Sequence, residues 1–331
     1  MCIPYTLRAF FGQHYMIPKP TLNENNLPDQ AGRVILITGG YGGVGFELAK
    51  ILYQHHATVW LAGRSESKGQ KAIEALTAEY PGSRGSLHFL KIDLSDLTTI
   101  KPAAEEFQRQ ETKLHWLNNN AGVMHPPAGS KGAQGFDLQY QTNIYGPFLF
   151  TKLLSPILKR TAASEKPGDV RVTWAGSTAT VVNTPPGGVA WKEDGSDLVH
   201  AFEPPMMPYH ITKAANYLLA VEFGKRFGQT DGVMHLAYNP GTLSSDLGRT
   251  SPASIRMMGK MLESPVKMGA YTELYAGLSK DLTLGEDQGG WIVPWGRRYP
   301  MRSDIFAETK KEDGTPFKMF EWCDNITKKY A

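Results

Sequence analysis

Short apolar runs and longer amphipathic stretches alternate along most of the chain, with glycine and proline between them. Residues 33–38 (RVILIT) make a short apolar run, the pattern of a strand buried on both faces. A glycine-rich turn follows, then helical spacing over 44–56. The order repeats with strand 58–61, helix 68–80 ending at Pro81-Gly82, strand 87–92, helix 97–110 and strand 114–117. After a loop, 137–160 reads as one long helix interrupted by Pro147 and Pro156, and 170–174 as a fifth strand. A Pro/Gly-rich segment, 182–208, precedes a strong helix over 209–227 and a sixth strand over 233–238.

Alternating strands and helices make βαβ units, whose right-handed crossovers build a parallel sheet covered on both faces. The expected fold is therefore α/β: a Rossmann-type, doubly wound parallel sheet in a three-layer α/β/α arrangement. The expected organisation is an N-terminal extension (1–32), a single domain (33–300) and a C-terminal extension (301–331). Within the domain, 182–208 is an insert and about 246–280 a small helical substrate lobe.

Composition narrows the class. The chain has 331 residues, 41% hydrophobic and 20% charged, which fits a soluble globular protein and argues against disorder. A net charge of +3 without a long basic run points to no nucleic-acid partner. Cys2 and Cys323 are too few for a disulfide scaffold or a four-cysteine zinc site; free thiols in a reducing, cytoplasmic compartment are expected. The nine histidines have no metal-ligand spacing, so no metal is expected. No run approaches the ~20 apolar residues that span a bilayer. Residues 1–18 are mildly apolar but broken by Arg8, Gly12, Gln13 and His14, so packing on the domain is expected over lying on a membrane surface.

The turn after the first strand reads Thr38-Gly39-Gly40-Tyr41-Gly42-Gly43-Val44-Gly45. Glycine suits a chain that turns sharply, approaches a pyrophosphate and points a helix N-terminus at the anion. Two registers fit: Gly40, Gly42 and Gly45 as G-x-G-x-x-G, or Gly39, Gly43 and Gly45 as T-G-x-x-x-G-x-G. Both imply a bound dinucleotide or similar phosphate ligand. The second strand ends Leu61-Ala62-Gly63-Arg64-Ser65, without the carboxylate that would hold an NAD ribose. Arg64 instead suits the 2′-phosphate of NADP(H), with Ser65 and Lys68 in reach to assist.

Tyr209-His210-Ile211-Thr212-Lys213 opens the strong helix, and i, i+4 spacing puts Tyr209 and Lys213 on one face. A nearby ammonium and a helix N-terminus both lower a tyrosine pKa, making it a usable acid or base. Taken with Thr38-Gly39-x-x-x-Gly43-x-Gly45 and Asn119-Asn120-Ala121-Gly122 after the fourth strand, this order resembles the short-chain dehydrogenase/reductase family over about residues 33–300. Gly63-Arg64 and Asn239-Pro240-Gly241-Thr242 look like its retinol dehydrogenase-like branch. The lead-in Asn26-Leu27-Pro28-Asp29-Gln30-x-Gly32 and the late Val293-Pro294-Trp295-Gly296-Arg297 look like fungal members of that branch.

The resemblance implies roles position by position. Tyr209 would be the general acid/base, Lys213 its pKa-lowering partner and holder of the ribose, and Ser177 the hydroxyl on the substrate carbonyl. Asn143 would hold a water beside the lysine. Thr38, Gly39, Gly43, Val44 and Gly45 would cradle the cofactor phosphates, Arg64 the 2′-phosphate, and Asp93-Leu94 the adenine. Asn120-Ala121-Gly122 would line the cofactor, with Asn120 bridging strands. Pro240-Gly241-Thr242 would hold the nicotinamide amide, with Ser245 a few residues on. Plainer roles stand beside these: Ser177 also reads as a strand-end cap, with Thr178 or Thr180 supplying the hydroxyl, and Asn143 as a buried asparagine bonded to backbone.

Departures from the family pattern bear on the substrate. The link from Ser177 to Tyr209 is long, and it either shapes an apolar pocket or makes a surface excursion. Met257, Met258, Met261 and Met268 follow the sixth strand, as adaptable pocket lining or core filler. Tyr145 and Trp174 stand where smaller residues are usual. The expected activity is NADP(H)-dependent reduction of a carbonyl on a bulky hydrophobic small molecule, or the reverse oxidation, in a chain able to form a homodimer. The alternative is a redox-silent member of the fold that senses NADP(H) or steers a cyclisation or isomerisation.

Overall fold

The computed structural model describes residues 5–15, 17–192, 198, 207–244, 247 and 263–331. Among them the apolar runs form one eight-stranded sheet in the order β3-β2-β1-β4-β5-β6-β7-β8. The strands are β1 Val34–Thr38, β2 Thr58–Gly63, β3 Ser86–Lys91, β4 Trp116–Asn119, β5 Val170–Ala175, β6 Val233–Tyr238, β7 Trp291–Val293 and β8 Arg297–Arg298. All neighbours are parallel except the closing β7–β8 pair. Two short strands thus extend the six expected from the sequence. They are too brief to carry a periodic signal.

The main helices are α1 Tyr5–His14, α2 Gly43–Gln54, α3 Glu66–Glu79, α4 Ile100–Gln110, α5 Gly146–Ala162, α6 Met207–Phe223, α7 Val266–Leu278, α8 Ser303–Thr309 and α9 Thr315–Thr327. They make the two outer layers. One core lies between the sheet and α4, α5, α6 and α9, and includes Phe107, Phe148, Trp174, Phe223 and Phe320. The other lies under α2, α3 and α7, and includes Ile35, Leu52, Leu76, Trp116 and Leu274.

Several expected boundaries shift. The fourth strand runs over Trp116–Asn119 rather than 114–117, because Leu114 N donates to the Thr161 hydroxyl (2.9 Å) instead of a neighbouring strand. The expected helix over 137–160 divides into a short turn Leu138–Tyr140, a π-helical turn Gln141–Tyr145, and α5. Pro147 sits in the first turn of α5, where its missing N–H costs nothing, and Pro156 lies inside the helix. Tyr145 and Trp174 are fully buried; the C-terminal Trp322 meets Tyr145 edge-on at 5.0 Å, and Phe223 packs against Trp174 at 5.5 Å.

The expected helical lobe over 246–280 is, from residue 266 on, the core helix α7. Ala270, Leu274 and Ala276 have no exposed surface, and Gly277 lies against the Trp116 ring. Its remainder holds Met257, Met258 and Met261, which lie outside the described residues, whereas Met268 packs on the core. The N-terminal segment packs on the domain as a helix, with Ala9 fully buried. The C-terminal segment closes the first core through Met319, Phe320 and Cys323.

β1 and β4 are adjacent, and the strand order reverses between them. A crevice therefore opens at their carboxyl ends, which is where ligands bind in doubly wound sheets. The glycine turn, the loop after β4 and the start of α6 all meet there.

Candidate active site

The glycine turn leaves β1 at Thr38 and enters α2 at Gly43. Gly39 (φ +69°) and Gly43 (φ +54°) are left-handed, a region that side chains rarely enter. A Cβ on Gly45 would stand 2.7 Å from Asn120 Nδ2 and 2.8 Å from the Gly39 carbonyl. Gly42, by contrast, faces open space and has φ −163°. The conformation thus selects the Gly39, Gly43, Gly45 register. No side chain caps α2, so the amides of its first turn, with Val44 among them, stay free for an anion.

Asn120 Nδ2 donates to the Thr38 carbonyl (2.8 Å), and Ala121 N donates to the Thr38 hydroxyl (3.0 Å). Asn120 is therefore the strand bridge expected of it. Gly122 passes close to two site residues: a Cβ there would be 3.3 Å from Asn143 Oδ1 and 3.3 Å from Lys213 Nζ.

At the end of β2, Arg64 is exposed, and among the described residues no hydrogen bond or ion pair engages it. Tyr41, which sequence reasoning did not single out, folds over Gly63, and its hydroxyl accepts from Ser65 N at 3.4 Å. Asp93 accepts from the amide (2.9 Å) and hydroxyl (2.6 Å) of Ser95, while Leu94 packs against Gly146. Gly241 (φ +98°) donates its N–H to Asn239 Oδ1 at 3.0 Å, and the Trp295 ring fills the space beside it. Pro240 and Thr242 flank it in the same loop. Ser245 lies outside the described residues.

The acid–base residues converge at the carboxyl end of β5. Ser177 adopts extended backbone and caps the 3-10 turn Thr178–Thr180, its hydroxyl accepting from Ala179 N at 3.2 Å. The same side chain also acts on the Tyr209 phenol, lowering its pKa against the effect of burial. The capping role of Ser177 is therefore realised, and Thr180 closes the cap, its hydroxyl accepting from Ser177 N at 3.3 Å.

Tyr209 stands in the first turn of α6 and is 6% exposed. Burial pushes its pKa up to about 12, opposed by Ser177. In place of the lowering expected from Lys213, the pKa rises. Lys213 Nζ, 5.6 Å from the Tyr209 ring centre, donates to the Ala175 carbonyl at 2.9 Å. Burial pushes Lys213 down to about 8, with the Glu273 carboxylate opposing. Asn216, one turn on, donates to the same carbonyl at 2.9 Å.

Asn143 lies in the π-helical turn and is fully buried. Its Oδ1 accepts from Val123 N (2.8 Å), and its Nδ2 donates to Val123 O (3.0 Å) and the Thr212 hydroxyl (3.1 Å). The plainer role describes its side chain: it pins the loop after β4 to α6, immediately beside Lys213. Three other neighbours escaped sequence reasoning. The His125 ring is 5.9 Å from Tyr209, Glu273 is a buried carboxyl behind Lys213, and Asn216 is a second clamp on Ala175. Only Asn216 carried a local signal, being three residues beyond Lys213 on the same helix face.

A buried, protonated tyrosine acted on by a serine, beside a lysine and a glycine cradle, can hold a dinucleotide and pass a proton. Residues 33–184 match the family model for short chain dehydrogenases. A short-chain dehydrogenase/reductase of Emericella nidulans is 39% identical over 94% of this chain and 97% of its own length. The chain belongs to the short-chain dehydrogenase/reductase family. Membership makes it an oxidoreductase that works with a nicotinamide cofactor. Solved structures share the fold. A chicken fatty liver carbonyl reductase with bound NADPH has a TM-score of 0.57 and 21% identity, covering 80% of this chain and 96% of its own. A Brucella melitensis 3-ketoacyl-(acyl-carrier-protein) reductase with NADH has a TM-score of 0.59 and 20% identity, covering 77% and 95%. Among the described residues no helix of this short-chain dehydrogenase/reductase is long and apolar enough to cross a membrane.

Proposed function

We propose that this chain is an NADP(H)-dependent carbonyl reductase, or the reverse alcohol dehydrogenase, acting in the cytoplasm on a bulky hydrophobic small molecule. The observation that carries the chemistry is the buried Tyr209, its phenol kept protonated, with Lys213 Nζ 5.6 Å from its ring and Ser177 acting on its hydroxyl. When bound, the nicotinamide supplies a hydride to the carbonyl carbon or takes one from the alcohol. Ser177 donates a hydrogen bond to the substrate oxygen, and Tyr209 transfers its hydroxyl proton to that oxygen as charge develops. The phenolate left behind is stabilised by Ser177 and by the Lys213 ammonium. Asn143 keeps the Gly122 loop and α6 in register, so that Lys213 stays in place.

Arg64 supports the choice of NADP(H). It ends β2 with a free guanidinium and without a competing carboxylate, next to Ser65 and the Tyr41 hydroxyl. The glycine turn, Asn120-Ala121-Gly122 and Pro240-Gly241-Thr242 would hold the rest of the cofactor, with Asp93 and Leu94 at the adenine end. Self-association through α5 and α6, the route to a homodimer, would have to displace α9, which packs on both.

A titration of NADPH and NADH against the wild type and Arg64→Ala tests the cofactor reading. NADPH is expected to bind at least about tenfold tighter, a difference of ~1.4 kcal/mol, and Arg64→Ala to erase the preference. Equal affinities in the wild type would overturn it. A carbonyl panel, with Tyr209→Phe as the inactive control, then tests the reductase reading.

A further inference from the structure

Helix α1 supplies two contacts, one buried and one half-buried, that the chemistry above does not use. Gln13 is 1% exposed, and its Oε1 accepts from Asn239 Nδ2 at 2.8 Å. The orientation of Asn239 is fixed, because its Oδ1 accepts the Gly241 amide proton. Its nitrogen must therefore face α1, and Gln13 must present an oxygen to it. The same nitrogen donates to the Thr178 hydroxyl at 2.9 Å, which joins the loop after β6 to the turn that Ser177 caps.

His14 makes the second contact. Its Nδ1 lies 2.8 Å from the Phe10 carbonyl, which can only accept, so the proton belongs on Nδ1. Nε2 is left to accept from the Thr242 hydroxyl at 3.0 Å. The helix is held from its other side: Arg297 donates to the Gly12 carbonyl at 2.9 Å, and the Tyr5 hydroxyl donates to the Pro300 carbonyl at 2.5 Å. Two consecutive side chains of α1 thus grip the two ends of one four-residue loop, Asn239-Pro240-Gly241-Thr242.

We propose that α1 is a working part of the active site: Gln13, through Asn239, and His14, through Thr242, are positioning residues that hold this loop in shape for the nicotinamide end of the cofactor. The inference rests on the cofactor reading above, in which that loop receives the nicotinamide. A loop of this length between a strand and solvent has many conformations, and each contact to a rigid helix removes some of them before the cofactor arrives. The adenine end, at β2 and β3, lies on the opposite half of the sheet from the loop after β6 and should not sense α1.

The test compares NADPH with 2′-phospho-ADP-ribose, which keeps the 2′-phosphate and lacks the nicotinamide. The variants are Gln13→Leu, His14→Phe and Thr242→Val, with Gln13→Glu as the variant that keeps an acceptor for Asn239. Gln13→Leu and His14→Phe are each expected to weaken NADPH about five- to tenfold while the nicotinamide-free analogue changes less than about twofold. His14→Phe combined with Thr242→Val should be no worse than the more impaired single variant, because both remove one contact. Gln13→Glu should recover most of the NADPH affinity.

Wild-type-like NADPH binding in Gln13→Leu and His14→Phe would overturn the proposal. So would an equal loss for both ligands, since α1 would then only support the fold. Failure of the wild type to bind NADPH would instead overturn the cofactor reading itself.

Discussion

The Ser177 hydroxyl accepts the amide proton of Ala179 while the same side chain lowers the pKa of the buried Tyr209 phenol, so the residue that caps the turn after β5 also acts on the phenol. The cap fixes where the hydroxyl sits, and Tyr209 needs it there. Ser177→Ala should lower turnover by about 10²-fold, and Tyr209→Phe by about 10³-fold or more, the scale of a positioned proton donor. NADPH affinity should stay within about threefold in both. Steady-state kinetics beside a binding titration checks this. A Tyr209→Phe variant that still turns over would remove the tyrosine from the chemistry.

The glycine turn makes a separate prediction, because its two possible registers share Gly45 and differ at their first two glycines. Gly43→Ala puts a side chain on left-handed backbone (φ +54°), so it should strain the turn and weaken NADPH more than about tenfold. Gly42→Ala meets open space at ordinary φ and should bind like the wild type. The opposite ranking would reinstate the Gly40, Gly42, Gly45 register.

Glu273 sets a pH dependence of stability. It is fully buried, accepts from Asn118 Nδ2 at 2.7 Å, and lies 3.1 Å from the Tyr238 hydroxyl. Tyr238 has one hydroxyl hydrogen but also faces Asn118 Oδ1 at 2.9 Å, so a proton on Glu273 fills the second contact. Burial pushes its pKa up to about 8, opposed by hydrogen bonds from Asn118 and Tyr238 and by the Lys213 charge. The folded state therefore keeps a proton that the unfolded chain loses near pH 4, and stability falls as pH rises from about 4.5 to 8. Lys213 acts above that window. Pushed down to about 8, it is deprotonated in the folded state first, and stability rises from about pH 8 to 10. Thermal unfolding between pH 5 and 8 should show a flatter slope in Glu273→Gln than in the wild type; identical slopes would discount the carboxyl.

Arg171 is a buried clamp in place of an ion pair. Its guanidinium donates to the carbonyls of Gly168 (2.8 Å), Ala276 (3.0 Å), Ser279 (2.7 Å) and Leu282 (3.4 Å), tying β5 to the end of α7. Arg171→Met leaves these carbonyls without a donor and should cost about 2–4 kcal/mol in urea unfolding. Arg171→Lys should recover little, because a point charge cannot span the same fork. Recovery by lysine would show that charge matters more than shape.

Much of the site was legible because its signals are local. The strands announce themselves as apolar runs, the phosphate turn as glycines between a strand and a helix, and Tyr209 with Lys213 as neighbours one helical turn apart. The four residues that break the apolar pattern near the N-terminus, Arg8, Gly12, Gln13 and His14, read there only as interruptions. In the fold Arg8 and Gly12 lend backbone carbonyls to Tyr299 and Arg297, and Gln13 and His14 hold the loop after β6.

The chain alone determined the α/β class, the six central strands, the glycine cradle and the spacing of the acid–base pair, since period and punctuation are properties of neighbouring residues. The tertiary structure decided which glycine register is used and that Ser177 acts on Tyr209. It also decided that burial raises the pKa of the phenol, that Glu273 is buried behind Lys213, that Arg171 clamps β5 to the end of α7, and that Gln13 and His14 reach the loop after β6. Those outcomes depend on which distant segment fills a buried polar group's valence: 228 residues separate His14 from Thr242, and 155 separate Asn118 from Glu273. No local pattern encodes such a pairing, because it exists only once the sheet brings the two segments together.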